Sequence, residues 1–209
     1  EQYDLTVELS GNKVKAIAKP KKRNMDWKRS LSISFRIYVP AGVSTDLTTS
    51  GGNISLAGLH GVQKFTTSGG NLDIADVEGH IDGQTSGGNV DVRHCGDDIS
   101  LTTSGGNIDA TGCRGKVTLE TSGGNISMTD LDGKVKGVTS GGNVHAETIK
   151  GDLDAHTSGG NVVLTKLSCN VISSTSGGHI SVSMASVNKY IRLDNSGGNI
   201  DLNIPGGNE

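Results

Sequence analysis

The chain has 209 residues, with 32 Gly, 3 Pro, 1 Trp, 3 Tyr, 2 Phe, 33% hydrophobic content and a net charge of −3. Glycine is present at roughly twice its usual ~7% share and is spread along the chain among β-branched residues, which excludes a helical bundle; it has no three-residue period, which excludes collagen. Residues 1–40 carry nine Lys/Arg against four Asp/Glu and residues 41–209 carry ten against eighteen, so the mostly acidic body is no nucleic-acid groove.

No apolar run approaches the ~20 residues of a membrane-spanning helix. The chain begins at Glu1 rather than Met, which reads as a processed fragment whose export signal or lipid anchor has been removed. Residues 2–18 predict two strands around a Gly11-Asn12 turn. The segment from Lys19 to Arg29 follows as a basic loop with the single Trp. Its Lys21, Lys22, Arg23, Trp27, Lys28 and Arg29 are candidates for contact with an anionic partner such as phospholipid, lipopolysaccharide or acidic glycan. Leu31, Ile33, Phe35, Ile37 and Val39 alternate strictly and predict a strand stopped by Pro40.

From Thr49 onward one unit dominates. Thr-Ser-Gly-Gly-Asn-aliphatic recurs with its serine at 50, 68, 86, 104, 122, 140, 158, 176 and 196, so the interval is 18 residues seven times and then 20. Two copies vary, with His179 replacing Asn and Asn195 replacing Thr. Counted from the motif Asn, positions +1 and +3 are aliphatic throughout (Ile108 and Ala110, Ile126 and Met128), and +6, +10 and +12 carry further apolar residues. A single unit of this size cannot bury its apolar side, whereas stacked units pair each strand with its equivalent in the next coil. The predicted fold is therefore all-β, a single-stranded β-helix of about 18 residues per coil, and the bias of parallel crossovers favours a right-handed turn. Each coil rises ~4.8 Å. The Ser-Gly-Gly corner is expected to need positive φ, and a second corner is expected near +8, where Gly61, Gly79, Gly115, Gly133 and Gly151 recur. The predicted organisation is residues 1–45 as N-terminal strands and capping first coils, 46–204 as regular repeats with a two-residue insertion near Ser186–Lys189, and 205–209 as a tail whose Pro205 blunts the last strand edge.

The Thr-Ser-Gly-Gly-Asn-aliphatic unit, together with Ile37-Tyr38-Val39-Pro40-Ala41-Gly42-Val43 before it, resembles a bacterial adhesin-type family of β-strand repeat proteins, related to the head-GIN domains of auto-transporter adhesins. The resemblance covers about residues 31–204. It implies a β-helix on the envelope of a bacterium and carries over no catalytic or ligand residue.

The remaining residues are weighed by what the fold would consume. Asn53, Asn71, Asn89, Asn107, Asn125, Asn143, Asn161 and Asn199 form a column expected to hydrogen-bond along the stack, and the Thr column at +14 is expected to pair hydroxyls between coils. Asp73, Asp91 and Asp109 stack outward on successive coils as a candidate cation column, with Arg93 nearby to offset their repulsion. His80, Asp98, Lys116, Lys134 and Asp152 form a mixed-sign outward column. Cys95 and Cys113 share the inward +6 column and read as buried thiols or a cross-link. No histidine pair has metal-ligand spacing and no cofactor motif is present.

The sequence thus predicts a non-enzymatic surface scaffold or adhesin whose ligand is a glycan or protein. A polysaccharide-degrading β-helix enzyme is the alternative by fold analogy, but long cleft-forming loops and aromatic sugar platforms are missing. A polymer-forming solenoid is the third reading, opposed by Pro205 and the charged N-terminal region.

Overall fold

The computed structural model describes residues 3–10, 13–20 and 34–206. No helix forms among them, and the chain divides into two units, Glu1–Val39 and Pro40–Glu209. In the first unit β1 (Tyr3–Ser10) pairs antiparallel with β2 (Lys13–Pro20), with Ser10 opposite Lys13. The predicted strand at 31–39 does not form over its described part. Residues 34–39 carry no strand, and Phe35, Ile37 and Tyr38 are exposed. Alternation supplies one apolar face, but a strand exists through its ladder, and among the described residues none pairs with this segment.

The second unit contains β3 (Thr45–Thr49), β4 (Ile54–Ala57), β5 (Gln63–Thr67), β6 (Leu72–Ala75), β7 (Glu78–Thr85), β8 (Val90–Arg93), β9 (Gly96–Thr103), β10 (Ile108–Thr111), β11 (Arg114–Thr121), β12 (Ile126–Thr139), β13 (Val144–Thr157), β14 (Val162–Thr175), β15 (Ile180–Asn195) and β16 (Ile200–Asn203). Each pairs in parallel with its equivalent one repeat away, as Ile108 does with Ile126 and Val117 with Val135. This is a β-solenoid with a coil of 18 residues. The two extra residues of the last repeat are absorbed between Val187 and Ile191, the partners of Cys169 and Val171. There Asn170 Oδ1 accepts the main-chain N–H groups of Lys189 and Tyr190 at 3.0 and 3.4 Å.

The inward columns are the predicted ones. Ile74, Val92, Ile99, Ile108, Val117 and Ile149 are fully buried. In the +12 column Phe65 and Leu101 fill the space that Gly83 leaves between them, where a Cβ would lie 2.2 Å from the Phe65 ring. Such interdigitation fills a narrow lumen without voids.

The motif residues hold the coils together through the main chain. Asn53 Oδ1 accepts the N–H of Asn71 at 2.9 Å, and the same bond climbs the column to Asn161 and the N–H of His179. The Thr column is buried, and its hydroxyls do not pair with one another as expected. Thr67 Oγ1 donates to the Gly52 carbonyl at 3.0 Å and accepts the Gly70 N–H at 3.2 Å, a pattern repeated through Thr175. A buried hydroxyl so placed satisfies two main-chain groups at the corner. Where the motif varies, the role survives. His179 Nδ1 accepts the N–H of Asn199 at 3.0 Å, and Asn195 Nδ2 donates to the Gly178 carbonyl at 2.9 Å while its Oδ1 accepts two glycine N–H groups.

Positive φ at the Ser-Gly-Gly corner is not what the glycines provide. The left-handed residues lie at +5 (Gly58, Asp76, His94, Gly112, Asp130, Thr148, Lys166) and at +8 (Gly61, Gly79, Asp97, Gly115, Gly133, Gly151). The +8 corner is the predicted one; the +5 corner is not legible because Asp, His, Thr and Lys occupy it. The motif's second glycine is needed for space: a Cβ on Gly124 would lie 1.9 Å from the Gly106 carbonyl oxygen, whereas one on Gly123 would meet nothing closer than 3.6 Å. Gly124→Ala is therefore expected to destabilise by about 1–3 kcal/mol through overpacking, and Gly123→Ala to stay within about 0.5 kcal/mol of the parent. Thermal melts followed by circular dichroism compare the two.

Candidate functional site

Outward side chains repeat at one strand spacing, ~4.8 Å, so each outer column is a ladder of groups whose charges act on one another. Asp73, Asp91 and Asp109 are direct neighbours across β6, β8 and β10. Arg93 extends over two of them, its Nη1 2.8 Å from Asp91 Oδ1 and its Nη2 2.7 Å from Asp73 Oδ1. One guanidinium thus bridges two carboxylates and offsets one of their two charges on an open face, where screening keeps the gain small. Asp109 makes no ion pair among the described residues, and its carboxyl is pushed above the usual range, first by partial burial and then by Asp91. No group of three or more His, Cys, Asp and Glu among the described residues is placed to hold a metal ion.

The mixed-sign column is stitched by pairs. Asp98 takes His80 at 3.2 Å and Lys116 at 3.4 Å, Asn170 donates to Asp152 at 2.7 Å, and beside them Lys136 meets Glu120 at 3.0 Å. Higher on this face, Lys134, Lys136, Asp152, Asp154, Ile172 and Tyr190 border a shallow depression of about 320 Å³.

Asp154 also belongs to a hydrogen-bonded chain that sequence reasoning missed. His156 Nδ1 lies 2.6 Å from Ser174 Oγ, and its Nε2 contacts an Asp154 carboxylate oxygen. This is the connectivity of a nucleophile, a base and an orienting carboxylate. The signal was present as Asp-x-His in one repeat with Ser eighteen residues after the His. Its setting differs from a hydrolytic centre. Ser174 lies inside β14, with His156 of β13 on one side and Asp194 of β15 on the other, so nearby main-chain N–H groups serve the ladders rather than converge on an oxyanion.

The three cysteines are free and buried. Cys95 and Cys113 occupy equivalent positions on adjacent coils, where stacked Cβ atoms lie about one strand spacing (~4.8 Å) apart, farther than the ~3.8 Å typical of a disulfide. The Cys95 thiol is held above its usual range by hydrogen bonding with Cys113 and by burial, and burial pushes Cys169 up to about 12. The basic-loop candidates Lys21, Lys22, Arg23, Trp27, Lys28 and Arg29 lie outside the described residues.

A family model described as Toastrack DUF4097 matches residues 6–209. No curated protein and no solved structure matches the chain.

Two outcomes follow from this chemistry. With its folded-state pKa raised, Asp109 binds a proton more tightly folded than unfolded, so its penalty is absent below the unfolded value, grows as pH rises and is complete above the folded value. Asp109→Asn is expected to raise the melting temperature at neutral pH, with the gain vanishing below the carboxylate range. A thiol reagent at neutral pH is expected to modify no cysteine in the native protein and all three after denaturation, counted by mass.

Proposed function

The chain belongs to the Toastrack DUF4097 family, and from that premise we propose that it is a non-enzymatic scaffold of the bacterial cell envelope that presents its outer columns to a glycan or protein ligand, in the manner of an adhesin. The observation that carries this reading is where the signature residues go. The Asn amides, the Thr hydroxyls and the second glycines are engaged with the main chain of neighbouring coils. What remains free to meet a partner is the charged exterior, and many of its groups are already paired with one another. A surface of this kind recognises an extended partner by periodic polar contacts rather than by enclosing a small molecule. Among the described residues no helix is long and apolar enough to cross a membrane. In this reading Lys21, Lys22 and Arg23 supply the anionic contact.

One observation favours a second reading, an acyl-transfer enzyme: the hydrogen-bonded chain Ser174–His156–Asp154. The ladder-bound strands around Ser174 argue for the scaffold instead, because an oxyanion needs donors that are not already engaged.

A glycan and matrix-protein array probed with the intact chain is expected to give salt-sensitive binding. Neutralising Lys21, Lys22 and Arg23 to Gln is expected to weaken it, and unchanged binding counts against the anionic contact. A fluorophosphonate probe is expected to leave Ser174 unlabelled; labelling that disappears in His156→Ala would move the assignment to the enzyme.

A further inference from the structure

The 18-residue period breaks once in the repeats, and the break carries an aromatic residue. Two aromatic residues fall in the repeats, Phe65 and Tyr190. Phe65 is buried in the lumen. Tyr190 lies in the segment that absorbs the two extra residues, between Val187 and Ile191. Its side follows from register: Ile191 pairs with Val171 of the inward +10 column, so the residue before it belongs to the outer face, and its ring borders the depression there. Asn170 ties this segment down. Its Oδ1 accepts the Lys189 and Tyr190 N–H groups while its Nδ2 donates to Asp152 Oδ1 at 2.7 Å. One side chain thus links the Tyr190 main chain to a carboxylate two coils earlier. An aromatic ring, expected to be missing from the outer columns, is present on one of them.

The same depression holds a charge that the fold does not use. Lys116 and Lys134 are direct neighbours on β11 and β12, and like charges so placed repel. Lys116 is offset by Asp98 and the nearby Lys136 by Glu120. Lys134 is exposed and makes no ion pair among the described residues. Its neighbour on the other side is Asp152, which Asn170 already engages. From Lys134 to Tyr190 the depression runs across three strand spacings, ~14 Å along the column. Asp152, Asp154 and the half-buried Ile172 border it between those two ends.

Resting on the scaffold reading, we propose that this depression binds an acidic oligosaccharide, a short run of uronic-acid residues laid along the column from Lys134 to Tyr190. The Tyr190 ring takes the C–H face of one sugar, its apolar body and polar tip suiting a half-wet contact, and Ile172 extends that apolar surface. Asp152 and Asp154 accept sugar hydroxyls with the lone pairs that Asn170 and His156 leave free. Lys134 donates a charge-assisted hydrogen bond to the carboxylate of a sugar at the other end. Charge selects the ligand: a neutral glycan leaves Lys134 without a partner, and an anionic one supplies it. An acidic peptide fits less well. Strands β12, β13 and β14 have a paired neighbour on each side, so the face has no open edge for a peptide main chain to join, whereas a sugar brings its own hydroxyls to the side chains.

Calorimetric titration of the full chain with short oligomers of galacturonate, guluronate and hyaluronan, each beside its carboxyl-reduced form, is expected to show at least one acidic oligomer bound more tightly than its neutral counterpart. Lys134→Gln is expected to weaken that oligomer about fivefold, to leave the reduced form unchanged, and to melt no lower than the parent, since Lys116 loses a like-charged neighbour. Tyr190→Ala is expected to weaken both forms about tenfold. Lys64→Gln, in the same +11 column as Lys136 but in the first coil, is expected to change neither. Binding that neither Lys134→Gln nor Tyr190→Ala weakens, or no binding of any of the three oligomers, would overturn the site. The scaffold reading survives that failure if the array still captures a glycan or matrix protein, and an array that stays blank removes both. Oligoglutamate held through Lys134 and Tyr190 while no uronate is held would assign the face to an acidic peptide and overturn the proposal as well.

Discussion

At the second glycine of each motif main chain packs directly against main chain. A Cβ at Gly70, Gly88, Gly106, Gly124, Gly142, Gly160, Gly178 or Gly198 would lie 1.9–2.0 Å from the carbonyl oxygen of the glycine one coil below. That contact sets each coil on the last at a single vertical position. The Thr hydroxyl locks it, bonded to a glycine carbonyl below and a glycine N–H in its own coil. The Asn amide oxygen then accepts the main-chain N–H of the equivalent Asn in the next coil. With that corner pinned once per turn, the rest of the coil has no freedom to slip, and a slip of one residue would turn every apolar side chain outward.

Pinning the register has a consequence for the exterior. Residues with the same repeat position must lie above one another, whatever their charge. The stack tolerates Asp73, Asp91 and Asp109 in one column because Arg93 bridges two of them, and the third shifts its titration instead. Elsewhere opposite charges meet along a column, as Asp98 with Lys116. Exterior chemistry is therefore written at two spacings, one coil along the column and two residues along the strand. The Ser174–His156–Asp154 chain uses both.

The same logic explains what could be read from the residues alone. The inward columns, the coil length, the +8 corner and the insertion after Ser186 all follow from periodicity, and periodicity is a property of sequence. The reason for the motif glycines does not, because Gly-Gly is equally consistent with a left-handed turn and with a close approach, and only the neighbouring coil distinguishes them. The +5 corner was hidden for the opposite reason. Its left-handed residues include Asp130, Thr148 and Lys166, held there by coils above and below rather than by their own preference. The segment around Phe35 shows the limit of alternation: it specifies a face, but a strand also needs a neighbour.

In a stack whose coils touch only their neighbours, each coil is stabilised from both sides except at the ends. The end coils therefore set how readily the whole unravels. At the C-terminal end the motif itself changes, with His179 in the Asn column and Asn195 in the Thr column, yet both still serve the corner groups. The bonds that pin the register thus continue through the variant copies of the motif to the last coil. In a one-dimensional stack, stability added at one coil is shared by every coil that would otherwise open after it.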